Sequence, residues 1–330
     1  FPAWTTEGEP AWSGYMYSST IGNNPCAFIM DEAGVPVWYH FGQPDQMIIR
    51  HRPRLDGKGV LYGQTFADTS SGVPSIRWVN WDGTIEREVK IPNFTHDFVE
   101  LPDGSLVVIA NDIRTVDGID GVVWGNSLIQ VPQTGERREL WNAWDEWVPG
   151  IDGQVQETGW WTHANAIDVN ADGTEITVGF RYMSTFIKID VATGEKVWQL
   201  GSNQSNYRYL NLQDEPRLQH QFQWVDGELL VFDNRDAGTG SRVLTLSFDD
   251  EAATVRKSGD WRHKDRLWSY ILGDVHRRAD GGTLVTFTTA GVVSDLDVDG
   301  NIVWELTGDL GTTVSYLTVT DTLPGVFRHR

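Results

Sequence analysis

The chain has little cysteine, little positive charge and no long apolar run. Cys26 is its only cysteine, which excludes an intrachain disulfide and any multi-cysteine metal site. The neighbours Ala27-Phe-Ile-Met30 point to a buried thiol. Lys and Arg together number 26 against 46 Asp and Glu, a formal charge of -20, whereas phosphate-backbone binding needs clustered cations. The expected partners therefore exclude nucleic acid. No stretch approaches the roughly 18 apolar residues of a membrane span, and no charged, apolar leader precedes Phe1-Pro-Ala-Trp4. That start is expected of a mature chain whose signal peptide has been removed, secreted or periplasmic.

What is abundant is glycine and tryptophan, with 34 and 16 residues in a chain of 330. Together with few helical periodicities they predict many short strands and tight turns, with aromatic rings filling wedges or lining a cleft. A turn followed by a short, often tryptophan-bearing strand recurs along the chain. It reads Asp31-Glu-Ala-Gly-Val-Pro-Val-Trp38, Trp81-Asp-Gly-Thr-Ile-Glu86, Gln133-Thr-Gly-Glu-Arg-Arg-Glu-Leu-Trp141, Ala192-Thr-Gly-Glu-Lys-Val-Trp198 and Val298-Asp-Gly-Asn-Ile-Val-Trp304, with a looser copy over 249–261. The spacing, on the order of 50 to 60 residues, is that of four-stranded propeller blades.

A second module falls between these copies, a glycine turn before an apolar strand at Asp56-Gly57, Asp103-Gly104, Asp172-Gly173, Asp226-Gly227 and Asp280-Gly281. A histidine precedes each: His51, His96, His163, His220 and His276. The fold class expected is all-β, a six-bladed β-propeller forming a single domain over 1–330. Residues 1–13 form an N-terminal extension, and 14–42 with 313–320 close one blade from both termini. Innermost strands of a propeller face its channel, so the histidines are expected at one mouth. The insertions at 112–126, 142–161 and 202–218 are expected to roof it.

Several chemistries suit such a mouth. A transition metal favours imidazole, but no His-x-His or His-Glu-x-x-His spacing occurs. Asp168-Val-Asn-Ala-Asp-Gly173 opens like a calcium loop, yet the twelfth position is Gly179 rather than glutamate. No metal and no cofactor is expected. Nucleophilic catalysis at an anionic centre fits better: a neutral imidazole attacks, others move protons, and Arg181 neutralises charge with its planar fork. A lyase acting on a uronate uses the same groups, with histidine or tyrosine as base. Paired acids at Asp145-Glu146 and Asp214-Glu215 offer a glycosidase arrangement, and a noncatalytic anion- or glycan-binding propeller completes the alternatives.

Four ordered stretches narrow the choice: Thr95-His-Asp-Phe-Val-Glu-Leu-Pro-Asp-Gly104, Trp161-Thr-His-Ala-Asn-Ala-Ile-Asp168, Gly179-Phe-Arg-Tyr-Met-Ser-Thr-Phe-Ile-Lys-Ile-Asp190, and Gln219-His-Gln221 followed by Leu230-Val-Phe-Asp-Asn234. Over roughly residues 94 to 308 the chain resembles the bacterial arylsulfate sulfotransferases. The resemblance implies a six-bladed propeller that moves a sulfuryl group from an aryl sulfate to a phenol through a sulfohistidine, independent of a nucleotide sulfate donor. It implies His220 as nucleophile, His163 as general acid, Arg181 as oxyanion clamp and His96 as a further contact or proton shuttle. Substrate contacts are expected from Trp161, Asn165, Tyr182, Asn234, His51 and His276. The partners expected are a small-molecule aryl sulfate and phenol, or an anionic saccharide. Phe180 stands where serine often precedes the arginine, and Gln221 where aspartate or threonine commonly follows the nucleophile.

Overall fold

A computed structural model describes residues 3–20, 25–43, 46–66, 72–308 and 314–323. Among these the chain forms six sheets built as antiparallel meanders, each a propeller blade, and the fold is a six-bladed β-propeller. Among the described residues no helix is long and apolar enough to cross a membrane.

The burial pattern explains why these segments are strands. Second strands of the blades are covered on both faces and read as continuous apolar runs: Leu106, Val107, Val108, Ile109 and Ala110 are all buried, as are Val60, Leu61 and Tyr62. Outer strands alternate instead, as in Ile85–Lys90, where half-buried Arg87 and Val89 lie between exposed neighbours. A one-residue slip would turn such a strand inside out, so the alternation fixes its register. The turns are built by aspartate and glycine. Asp172 Oδ1 accepts from the Thr174 amide at 3.2 Å, and Gly173 holds φ 73 where an added Cβ would meet Pro102 Cδ at 2.4 Å.

The chain divides into two compact units. One comprises Phe1–Pro92, Asp236–Ser241 and Arg262–Arg330. In it, Tyr15–Ser19 pairs with Thr318–Thr320 through Tyr15↔Thr320, Met16↔Val319 and Tyr17↔Thr318, so strands from both ends of the chain share one blade. The terminal strand is shorter than the expected 313–320. Val314 contributes only a bridge to Thr20, and residue 313 lies outside the described residues. Residues 1–13 do more than extend the chain, because Trp4–Gly8 adds a fifth strand to the blade of Ile302–Gly308. The other unit, Asn93–Arg235 with Arg242–Trp261, holds three blades and every residue of the site described next.

An aspartate recurs on the innermost strands, buried at 97 and 274 and half-buried at 168. Asp97 accepts from its own following amide, Phe98 N, at 2.8 Å and from Ile167 N of the next blade at 3.2 Å. Asp168 does the same with Val169 N at 3.1 Å and Trp224 N at 2.7 Å. In the first unit Asp274 takes Val275 N and Leu317 N, each at 2.8 Å, and pairs with Arg50 at 3.2 Å. Amides at blade edges are thus satisfied by carboxylates rather than by further strand pairing.

Candidate active site

Three histidines and an arginine of the second unit stand at irregularities of neighbouring blades. His96 lies in Phe94–Glu100, where pairing with the adjacent strand passes from Phe98↔Val108 to Phe94↔Ala110. His163 precedes Ala164–Val169, whose register shifts between Ala164 and Ala166, and its carbonyl accepts from Arg181 N at 3.0 Å. His220 precedes Phe222–Val225 and donates its amide to Phe232 O at 3.1 Å, while Phe232 N donates to Gln221 O at 2.9 Å. Bulges re-aim side chains out of strand alternation. His96 and His163 also hold left-handed backbone, φ 55 and 53, a conformation that costs energy in any residue with a Cβ.

The rings converge. His96 and His163 have centroids 4.6 Å apart, Trp160 lies 4.8 Å from His163 and 6.2 Å from His96, and Tyr182 lies 4.8 Å from His163 on edge. The guanidinium of Arg181 sits 4.9 Å from the Tyr182 ring centroid. Trp124 backs Trp160 at 5.0 Å. His220 is 2 % exposed and its Nδ1 meets Asn234 Oδ1 at 2.8 Å. With the amide oxygen as acceptor, Nδ1 carries the ring proton and Nε2 keeps the lone pair.

The electrostatics agree with this geometry. Burial pushes the His220 imidazole down to about 3, with Arg181 and then His96 pushing the same way, and the Asn234 hydrogen bond and the Leu218 backbone opposing them. Burial, then Arg181, pushes His96 down to about 4 against Asp97. His163 is held well below the ordinary histidine value by burial and by His96, Arg181 and His220. One arginine therefore acts on all three rings, and at neutral pH each ring is uncharged. The arrangement offers one oriented nucleophilic nitrogen, two further imidazoles and a fixed cation, which suits attack on an anionic centre and neutralisation of its oxygens.

Not every residue expected at the mouth lies in this cluster. Trp161 is 0 % exposed and packs at 4.9 Å on Trp144 in the core of its unit; the ring that reaches the histidines belongs to its neighbour Trp160. Asn165 is also fully buried, with Nδ2 donating to Gln219 O at 2.8 Å. Asn234 contacts the His220 ring rather than open space. His51, in the first unit, directs Nδ1 to Ser18 O at 2.9 Å and packs against Tyr17 and Trp38. His276 lines a cavity of about 360 Å³ with Trp12, Ser13, Arg278, Asp280 and Asp321. The repeats also differ in register: His51 pairs with Tyr62, five residues past Gly57, whereas His276 pairs with Leu284, three past Gly281.

The insertions are more ordered than roofing loops. Residues 112–126 largely extend the hairpin of Leu106–Arg114 with Val123–Val131. Tyr207 donates to Asp250 Oδ1 at 2.7 Å, Glu146 pairs with Lys196 at 2.7 Å, and Asp214 with Lys257 at 3.5 Å. These acids serve ion pairs. Among the described residues no group of three His, Cys, Asp or Glu is placed to hold a metal ion.

The arylsulfotransferase (ASST) profile matches residues 14–307. The chain belongs to the arylsulfotransferase family. No curated protein sequence matches it. Among solved structures, this arylsulfotransferase-family chain is similar to a Bacteroides caccae protein of unknown function at 13 % identity and TM-score 0.59, over 94 % of this chain and 100 % of that one. It is similar to a periplasmic gluconolactonase of Pseudomonas aeruginosa at 11 % identity and TM-score 0.52, over 94 % and 100 %. A β-propeller domain from Myceliophteria thermophila matches at 10 % identity and TM-score 0.50, over 97 % and 88 %. At such identities the likeness is one of fold. The family implies a transferase acting on small aryl substrates.

Proposed function

We propose that the protein transfers a sulfuryl group from an aryl sulfate to a phenolic acceptor, with His220 as the covalent nucleophile. The observation that carries this reading is the 2.8 Å contact of His220 Nδ1 with Asn234 Oδ1, beside a cation and two more imidazoles. In the first half-reaction the Nε2 lone pair forms a bond to sulfur while the bond from sulfur to the aryl oxygen breaks, and the aryl oxide leaves with the electron pair. The ring becomes cationic, and its Nδ1 proton remains hydrogen-bonded to Asn234 Oδ1. Arg181 neutralises the sulfuryl oxygens, and the N–H groups of His96 and His163 donate to them. In the second half-reaction a phenol gives its proton to one of these imidazoles, its oxygen attacks sulfur, the N–S bond returns its electron pair to Nε2, and the imidazolium so formed passes the proton to the departed aryl oxide through solvent, which restores the enzyme.

Burial is the largest cause of the low proton affinity of both His96 and His163, with Arg181 adding to it at each ring and His96 at His163. A sulfate ester brings negative charge to the same place, which raises imidazole basicity and readies a ring to take the acceptor's proton. The Trp160 and Tyr182 rings beside the cluster supply a wall for an aryl group.

The test is exchange of the sulfuryl group between an aryl sulfate and a phenol, followed by mass spectrometry of the peptide carrying His220 for an acid-labile adduct. Full activity in His220→Ala would sink the assignment. The lyase and glycosidase readings find less support: Tyr207 is spent on Asp250, the Tyr209 hydroxyl is buried, and one acid of each pair, Glu146 and Asp214, binds a lysine.

A further inference from the structure

We propose that Gln219 and Gln221, on either side of His220, are positioning residues that hold its imidazole in register with Arg181 and His96; this rests on the reading of the site given above. Each glutamine reaches out of its own blade to the backbone neighbour of another site residue. Gln219 Nε2 donates to Phe180 O at 3.0 Å, and Phe180 is followed by Arg181. Gln221 Nε2 donates to Asp97 Oδ2 at 3.2 Å, and Asp97 follows His96. The chain returns the first contact, since Asn165 Nδ2 donates to Gln219 O at 2.8 Å, two residues after His163.

These links are built to be stiff. Gln219, Asn165 and Asp97 are 0 % exposed and Gln221 is 2 % exposed. The Asp97 carboxylate receives three donors from three segments: Phe98 N, Ile167 N and Gln221 Nε2. Hydrogen bonds to a buried carboxylate are charge-assisted and hold position more firmly than neutral ones. The segments carrying His96, His163, Arg181 and His220 are thereby tied by the immediate neighbours of the reacting side chains. Such support from a surrounding shell holds a nucleophile within the tolerance that attack requires.

Gln219→Met and Gln221→Met test the idea, because methionine keeps side-chain length and volume while removing the amide. Two readouts separate positioning from mere fastening of blades: the kcat for sulfuryl transfer against KM, and hydrogen exchange of the His220 ring N–H in protein carrying ¹⁵N-histidine. We expect kcat to fall on the order of 10²-fold, as for a displacement of about 1 Å, with KM little changed and the thermal midpoint lowered by only a few degrees for the buried acceptor left one donor short. The ring N–H is expected to exchange faster as its contact with Asn234 loosens. Unchanged kcat and exchange in both variants overturn the proposal, as does activity lost only in proportion to unfolded protein. Should a methionine variant fail to fold, Gln219→Asn and Gln221→Asn keep the amide but withdraw it by one methylene, and the same outcomes decide. A wild-type protein without sulfuryl transfer defeats the functional reading alone, since exchange of the ring N–H still decides the role of the glutamines.

Discussion

The rings of His96 and His163 lie 4.6 Å apart, tilted by 57°, on two strained backbones, φ 55 and 53. A left-handed residue other than glycine costs roughly 1–2 kcal/mol, and the surrounding structure must hold it. Glycine escapes that cost, although it loses some of the gain through greater freedom of the unfolded chain. His163→Gly is therefore expected to be more stable than His163→Ala by about 0.5 to 1 kcal/mol, both being impaired in transfer. Urea denaturation of the two variants checks this, and an alanine variant of equal or greater stability would show that the backbone is not strained.

The buried imidazoles also set a pH dependence of stability. Burial is the largest cause holding His51, His96 and His276 at about 4 and His220 at about 3. The unfolded chain takes up protons near pH 6.5 that these folded residues refuse. Their contribution is complete above that pH and is lost as pH falls toward 4. Asp274 acts in the opposite sense, because burial raises its carboxyl to about 6 and protonation there favours the folded state. Five histidines, His163 among them, outweigh Asp274 and the other raised carboxyls, Asp233 and Glu215, so the urea midpoint should fall between pH 7 and pH 5. A midpoint that stays level or rises over that range would contradict the burial of the rings.

Adjacent tryptophans should separate binding from folding. Trp161 is enclosed by the core and Trp160 lies against the His163 ring. Trp161→Ala is expected to cost about 3–5 kcal/mol of stability, as for other large-to-small core substitutions. Trp160→Ala should cost far less and instead raise KM for aryl substrates. Denaturation curves set beside steady-state kinetics distinguish the two, and a Trp160→Ala variant with unaltered KM would remove that ring from the substrate wall.

How much of this was legible beforehand follows from which interactions are local. Turn residues such as Asp103-Gly104 and the spacing of the tryptophan strands announce blades, because each is built within one hairpin. The pairing of Tyr15–Ser19 with Thr318–Thr320 was likewise foreseeable, since the strand pattern at each end needed a partner. The side-chain directions were not. Bulges at Ala164/Ala166 and Val108/Ala110 break the two-residue alternation, and Trp160, outside those strands and bridged to Trp124, reaches the site where Trp161 was expected. Gln221 finds Asp97 across 124 positions and Ile167 finds it across 70, separations at which no local motif exists. His51 and His276 look like the other histidines in spacing alone, but their register and neighbours differ.

Asn234 offers the most direct probe of the nucleophile. Its Oδ1 accepts from His220 Nδ1 at 2.8 Å in a pocket where Asn234 is 0 % exposed. Asn234→Asp keeps the shape and the acceptor but places a carboxylate against the ring, which favours the imidazolium and raises the proton affinity of His220. Arg181, which pushes that affinity down in the wild type, opposes the new charge without abolishing its effect. The acidic limb of kcat/KM reports ionisations of the free enzyme. In the wild type it should lie below pH 5, because His220 and His96 hold protons only near 3 and 4. In Asn234→Asp it should move toward neutrality by about one pH unit or more, with KM for the aryl sulfate little altered. The shift follows from the His220–Asn234 contact alone. A limb that stays in place in an active Asn234→Asp enzyme would show that the unprotonated His220 ring does not govern the attack.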